Sequence, residues 1–522
     1  MGSARSIGIL TVLNAAGAGI ALANSVVVAC FFGTTRPLEV FFAASTLQGL
    51  VTSLTQTGQL AEIFLPIYHR LKHDQGVEAA RRAFSIVVNW MVLLVLALSA
   101  MLWFLAPALL GLLVPGFSAG DRVLGVWMFR SLLGLLGIQA CLSLVGTLAN
   151  AEKWFGGPEA ISVASRLGIV IAIALLAVPL GVWAMVASLW VGTAIHVLGY
   201  LVMLRRMGYR HRLCLRQEGF SAASVFYKLV VTFGYVGATQ VYAFALSAAL
   251  SLLEPGTYAA FKYAQTLYSR TNSVLLRPVS IVFFTHFSEA LANGAENLRD
   301  LARSALGRCL GIAVLVASAV LVCGRPLVGG LWGSRHFGGR ELDLAAQLLG
   351  VFYLLLFASA LNQIARKITM SFGMVQRQYW STAVVQVLSA AAAWALIRPL
   401  GMTGAMVTIA GNEVALALAP LAVLAWWRRD LVVFYPPGLV WRWAAAGAGG
   451  VAAAYGLVLA SSGHTLVGGR LGQLLWAAAL GATAMTVAVA VAWLLNVYEV
   501  RKGLRVVLAK ARLGGAESGS AT

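Results

Sequence analysis

Apolar runs of twenty or more residues, separated by short polar stretches, follow one another along nearly the whole chain. About 20 residues at a rise of about 1.5 Å each cross the hydrocarbon core of a bilayer. The pattern predicts spans at 7–32, 37–67, 84–113, 123–150, 158–178, 181–204, 222–252, 257–288, 305–332, 342–372, 378–397, 401–427, 438–460 and 472–497. The expected fold is therefore an all-α polytopic membrane protein with about 14 transmembrane helices. Grouped, these become an N-terminal lobe (1–204), a basic cytoplasmic linker (205–221), a C-terminal lobe (222–430), an appended pair (431–500) and a basic, then disordered tail (501–522). Two six-helix lobes around a central cavity, related by an axis along the membrane normal, are the arrangement this grouping predicts.

Polar positions inside the spans are not scattered. The eighth span, Tyr258 to Phe287, carries Lys262, Arg270 and Arg277. At about 100° per residue, Arg270 lies about 80° and Arg277 about 60° around the helix from Lys262. The three cations share a face over about 22 Å of depth, and Gln265, Thr266, Ser269, Asn272 and Ser273 surround it. A cation at membrane depth is costly unless it faces water or a partner, and it marks a functional site by default. Two readings stand open: Lys262 and Arg277 snorkel to opposite interfaces, or the stripe lines a wet cavity that holds an anion. Arg166, inside the fifth span, is a further candidate for that cavity. The second span has its own polar stripe, Ser45, Gln48, Thr52, Gln56 and Gln59, at helical spacing. Glu413 follows Asn412 in the twelfth span, where it is a candidate for ion coupling or for a structural hydrogen bond.

A mean hydropathy of +0.84 agrees with this membrane reading. The formal charge of +20 suggests nucleic acid or anionic lipid until its distribution is examined. With the N-terminus cytoplasmic, 25 of the 38 Lys and Arg fall on the inner side and 7 on the outer, leaving 6 in spans. That is the positive-inside asymmetry, and it predicts that both termini are cytoplasmic. Five scattered cysteines suggest neither a disulfide framework nor a zinc site. No P-loop, HExxH or EF-hand pattern is present, and the loops are too short for a soluble catalytic domain. The expectation is a transporter rather than an enzyme, with no cofactor, no metal and no nucleic-acid partner.

Four stretches carry a family resemblance: FFGTTRPLEVFFAAS (31–45), TGQLAEIFLPIYHRLK (57–72), LANAEKWFGGPEAIS (148–162) and YAAFKYAQTLYSR (258–270). With the span count, they resemble the multidrug/oligosaccharidyl-lipid/polysaccharide flippase superfamily, in particular its lipid II flippase branch (MurJ, formerly MviN). That resemblance implies cavity arginines in spans one, two and eight. The corresponding positions here hold Asn24, the pair Thr52 and Ser53, and Thr266, while Gln265 replaces the acid before the eighth-span arginine. Positive charge is supplied instead by Lys262, Arg270, Arg277 and Arg166. The implied activity is flipping of a polyprenyl-diphosphate-linked glycan, lipid II-like or an exopolysaccharide or O-antigen repeat unit. It would run by alternating access from the inner to the outer leaflet of the bacterial cytoplasmic membrane, with glycan-synthesis enzymes as partners. The resemblance also implies that the last two spans form a groove for the lipid tail. Two rivals are a cation-coupled exporter of drugs or metabolites in the same superfamily, and a non-transporting scaffold for glycan synthesis. The first calls for buried acids; the second gives no reason for charge on the eighth span.

Overall fold

The computed structural model describes residues 2–55, 59–152, 154, 156–217, 237–292, 298–427, 437–461, 469–497 and 500–501. A backbone in hydrocarbon has no water to bond, so an apolar chain satisfies its N–H and C=O groups within helices. The described helices are α1 (Gly2–Phe31), α2 (Arg36–Thr55), α3 (Gln59–Asp74), α4 (Val77–Leu113), α5 (Ala119–Ala151), α6 (Gly156–Leu180) and α7 (Trp183–Arg206). They continue with α8 (Gly237–Leu250), then α9 (Thr257–Ala292), α10 (Leu298–Trp332), α11 (Gly339–Leu354), α12 (Leu356–Ser371), α13 (Val375–Trp427), α14 (Pro437–Ala460) and α15 (Gly469–Leu494). Among the described residues, 10 helices are long and apolar enough to cross a membrane.

Every predicted span overlaps a described helix, although residues 222–236 of the span 222–252 and 56–58 of the span 37–67 lie outside the described residues, and differences appear at three places. The span 37–67 is represented by α2 and α3, and 342–372 by α11 and α12, which meet at Leu355. The spans 378–397 and 401–427 both lie in α13, whose 53 residues contain Gly401 at φ 56° and ψ −130°. A Cβ on Gly404 would fall 2.2 Å from the carbonyl oxygen of Leu396. In a straight helix eight residues rise about 12 Å, so the chain reverses here and the two spans stay distinct. Glycine is needed at 401 because that backbone conformation is one that L side chains rarely adopt. By contrast α4 and α9 run through Pro107 and Pro278 without ending.

The chain divides into two compact units. Unit 1 comprises Met1–Lys262, Ser334–Gly338 and Gln386–Ala405; unit 2 comprises Tyr263–Gly333, Gly339–Val385 and Met406–Thr522. In unit 1, α6 packs on α7 and α1, and α5 packs on α2 and α4. The α6–α7 seam is built from small residues facing large ones. A Cβ on Gly168 would sit 2.2 Å from Ile195, one on Gly192 2.4 Å from Ile169, and one on Gly199 2.7 Å from Ile161. Such notches let helices approach closely where no hydrophobic effect drives them together. Ser165 locks the seam by donating to the Gly192 carbonyl at 2.7 Å. In unit 2, α10 is central and packs on α15, α14, α11 and α12. On the outside the usual order of polarity is inverted: Phe104 of α4 and Val178 of α6 are 80% and 83% exposed, as expected of lipid-facing helices.

Candidate functional site

Helix α9 carries most of the candidate residues, and neighbouring helices hold it at named points. At its start, in unit 1, the buried carboxylate of Glu39 on α2 accepts hydrogen bonds from the backbone N–H groups of Gly256 and Ala259, at 3.0 and 3.1 Å. These are donors that the first turn of a helix cannot satisfy internally, and a negative charge suits the positive end of the helix dipole. The other oxygen of Glu39 pairs with Arg36 at 2.9 Å, and Arg36 reaches on to Asp121 of α5 at 3.1 Å. The Arg36 guanidinium also lies 3.8 Å from the Phe117 ring centroid. Thr46 of α2 shares a hydrogen bond with the Tyr258 hydroxyl at 3.1 Å. Lys262, half-buried, lays its ammonium 5.2 Å from the Tyr258 ring and 5.6 Å from the Phe261 ring.

Farther along α9, in unit 2, a neutral network fixes one side of the helix. Asn272 donates to Ser359 at 2.6 Å and accepts from Gln363 at 2.7 Å, both on α12. Ser280 donates to Gln363 at 3.2 Å, and Thr271 shares a hydrogen bond with Tyr353 of α11 at 2.6 Å. Tyr268 stacks on Phe352 with ring centroids 5.0 Å apart. Leu276, Phe283 and Phe287 are buried on the same arc. Arg270 and Arg277 point the other way: within about 20° of each other at 100° per residue, both are exposed. Gln265, within about 20° of Asn272 around the helix, is half-buried, and Thr266 and Ser269 are exposed.

The remaining candidates sit in smaller groups. Arg166 of α6 is half-buried, and a Cβ on Gly17 of α1 would come within 2.7 Å of its guanidinium. His196 of α7 lies near enough to feel that charge. On α1 the side-chain oxygen of Asn24 is buried without a hydrogen bond. On α2, Gln48 is buried and donates to Gln139 of α5 at 3.5 Å, and Thr52 is half-buried. Gln56 lies outside the described residues, as does the side chain of Gln59. Asn412 of α13 is buried with its side-chain oxygen unpaired, and half-buried Glu413 next to it faces the Tyr268 hydroxyl of α9.

Sequence reasoning missed two features. Glu39 reads as one of two acids in span two, with Glu62, three residues after Arg36; nothing local points to backbone donors more than two hundred residues later. The partners of Asn272 on α12 carried no signal beyond Ser359 and Gln363 lying four residues apart, on one helix face.

Outside the spans a third cluster ties helix ends together in unit 1. Glu152, just past α5, accepts from Lys72 of α3 at 2.8 Å and from the Tyr68 hydroxyl. Burial pushes the Glu152 carboxyl up, but the Lys72 and Tyr68 bonds outweigh it and hold the group below its ordinary range. Arg81 of α4 donates to the Met207 and Gly208 carbonyls that follow α7, at 2.9 and 3.0 Å. Tyr209, bonded to Ser85 of α4 at 2.7 Å, is pushed up to about 12, chiefly by burial.

This is a multi-pass helical membrane protein with charge built into a spanning helix. Comparison with solved structures gives the fold its class. The chain superposes on the lipid II flippase MurJ in an inward closed conformation with a TM-score of 0.78, at 13% identity, covering 95% of this chain and 99% of the other. It also matches an inward-facing multidrug resistance MATE family transporter of the MOP superfamily, with a TM-score of 0.62 at 13% identity, over 81% of this chain and 95% of that one. Residues 28–462 match the family described as lipid II flippase MurJ. The chain belongs to the MurJ family. Among its relatives, the probable lipid II flippase MurJ of Thermotoga maritima is 21% identical over 66% of this chain and 69% of its own length. The probable lipid II flippase MurJ of Buchnera aphidicola is 22% identical over 28% of this chain and 29% of its own length.

Proposed function

We propose that this protein flips a polyprenyl-diphosphate-linked glycan across the bacterial cytoplasmic membrane by alternating access, with Arg270 and Arg277 as the diphosphate ligands. Family membership supports the substrate class. The observation that carries the residue assignment is the split character of α9: neutral side chains anchor one side, and the other side carries two exposed arginines. Positive charge at membrane depth suits an anion or a wet cavity. A planar guanidinium binds two phosphate oxygens at once and stays charged at any physiological pH. Within unit 2, Gln265, Thr266 and Ser269 add polar groups along α9; within unit 1, Lys262, held over aromatic rings, and Arg166, Asn24, Gln48 and Thr52 are the cationic and polar candidates. The glycan is one other than, or in addition to, lipid II, because the positions where the family's cavity arginines are expected hold Asn24, Thr52 and Thr266. Basic loops and both termini face the cytoplasm, where glycan-synthesis enzymes supply the substrate. Glu413, beside Tyr268 and Asn412, is the candidate for a coupling proton or cation, the alternative being a structural hydrogen bond to Tyr268.

Native mass spectrometry of the purified protein and of the Arg270→Ala/Arg277→Ala double variant tests this. Wild type is expected to retain a polyprenyl-diphosphate glycan. The variant should lose it by at least about 100-fold, since each of the two charge-assisted contacts contributes about 1.5–3 kcal/mol. Equal retention in a folded double variant sinks the assignment of the arginines. Bulk phospholipid alone in both would move the exporter and scaffold readings ahead.

A further inference from the structure

Helices α4, α5 and α7 of unit 1 enclose an apolar trough on their outer surface. One stretch, of 470 Å³, is bordered by Gly137, Cys141, Tyr200 and Leu204. A second, of 620 Å³, is bordered by Trp103, Arg130 and Trp190. Both are lined by Leu96, Gly134 and Gly137, so they form one continuous channel whose floor is glycine. From Arg130 to Val145 the trough follows α5 for about 22 Å, longer than the roughly 15 Å of hydrocarbon in one leaflet.

Arg130 is the one charged residue among those lining it. Its Nε donates to the Trp103 carbonyl at 3.2 Å, and its guanidinium lies 4.9 Å from the Trp103 ring and 5.4 Å from the Trp127 ring. No carboxylate pairs with it among the described residues, and its terminal Nη groups have no hydrogen-bond partner there. Trp190 closes the same end, its indole N–H donating to the Ser131 carbonyl at 3.2 Å. Tryptophans of three helices thus meet at one level, the pattern that marks the headgroup region of a bilayer. A snorkelling arginine would extend freely into water; this one is fixed by two rings and a carbonyl, with its phosphate-binding fork left unused.

We propose that the trough is a binding site for an anionic phospholipid, its phosphate on Arg130 and one acyl chain along Leu96, Gly134, Gly137 and Cys141. The site lies wholly within unit 1 and takes a resident lipid of the bilayer, separate from the transported molecule.

The test uses the full chain in vesicles of phosphatidylethanolamine and phosphatidylglycerol, with a phosphatidylglycerol probe bearing a photoreactive group at mid-chain. Labelling should concentrate on peptides containing 134–145 and 197–204, and unlabelled phosphatidylglycerol should compete about fivefold better than phosphatidylcholine, which offers the same phosphate but brings its choline cation beside the guanidinium. Arg130→Gln should remove that preference and Arg130→Lys should keep part of it. The proposal is overturned if the apolar outer face of α6 around Leu175 and Val178 is labelled as heavily, or if Arg130→Gln leaves the preference intact. Should the variant fail to fold, the wild-type competition decides: equal competition by the two lipids overturns the site.

Discussion

The start of α9 and its middle are held in opposite ways. In unit 1 the start is fastened by a buried charge, with Glu39 taking two backbone donors and the Arg36 guanidinium. In unit 2 the middle is fastened by neutral groups, Asn272 with Ser359 and Gln363, and Thr271 with Tyr353. The physical difference is one of consequence. A buried carboxylate with a full set of donors is stable only while every donor stays in place, and breaking one partner leaves a stranded charge. Amide and hydroxyl pairs inside a membrane contribute modestly, about 0.6 to 1.7 kcal/mol each, and tolerate loss. Neutral anchoring also adds no negative charge to this stretch of α9, whose other side carries the exposed Arg270 and Arg277.

The largest effect should come from Glu39→Ala, which leaves two buried backbone donors unsatisfied and removes one of the two acidic partners of Arg36. A loss of about 3 kcal/mol is expected, in the range for breaking a buried pair, read as a lowered midpoint of thermal unfolding in detergent. Glu39→Gln keeps an acceptor and should lose less; equal stability of Glu39→Ala and wild type would break the comparison. Asn272→Leu should come next, at about 1–2 kcal/mol. Because it leaves the charge of α9 unchanged, substrate retention should hold where the arginine double variant loses it. If Asn272→Leu lowers stability as much as Glu39→Ala, the contrast between charged and neutral anchoring fails.

The smallest effect concerns Glu152. Its carboxyl is held below the ordinary range in the folded state, so its contribution is complete above the unfolded value of about 4.3. That contribution is lost as pH falls through the folded value. The pair with Lys72 is partly exposed, which limits it to about 1 kcal/mol or less. Unfolding midpoints measured from neutral to acid pH should therefore fall slightly more steeply for wild type than for Glu152→Gln. Parallel curves would mean that the ion pair contributes nothing.

Much of this architecture was legible in the chain because a bilayer constrains it so tightly. Run lengths gave the spans, and even the reversal at Gly401 sits where the twelfth span was expected to begin. The face shared by Arg270 and Arg277 followed from helical periodicity alone, and both side chains are exposed there. Lys262 was grouped with them on the same grounds, yet it lies half-buried over Tyr258 and Phe261. Periodicity states where a side chain leaves the helix and not what it bends toward.

Hydropathy and helical period thus determined which residues cross the membrane, which class of protein this is, and which strip of α9 carries charge. Only the tertiary structure decided which buried polar groups are satisfied. Glu39 meets backbone donors 217 and 220 residues away, Asn272 its partner Ser359 87 residues away, and Arg36 meets Asp121 across 85. Transfer into lipid is set residue by residue and can be read along a line. A hydrogen bond depends on two atoms meeting within about 3 Å, and that distance exists only once the helices have packed.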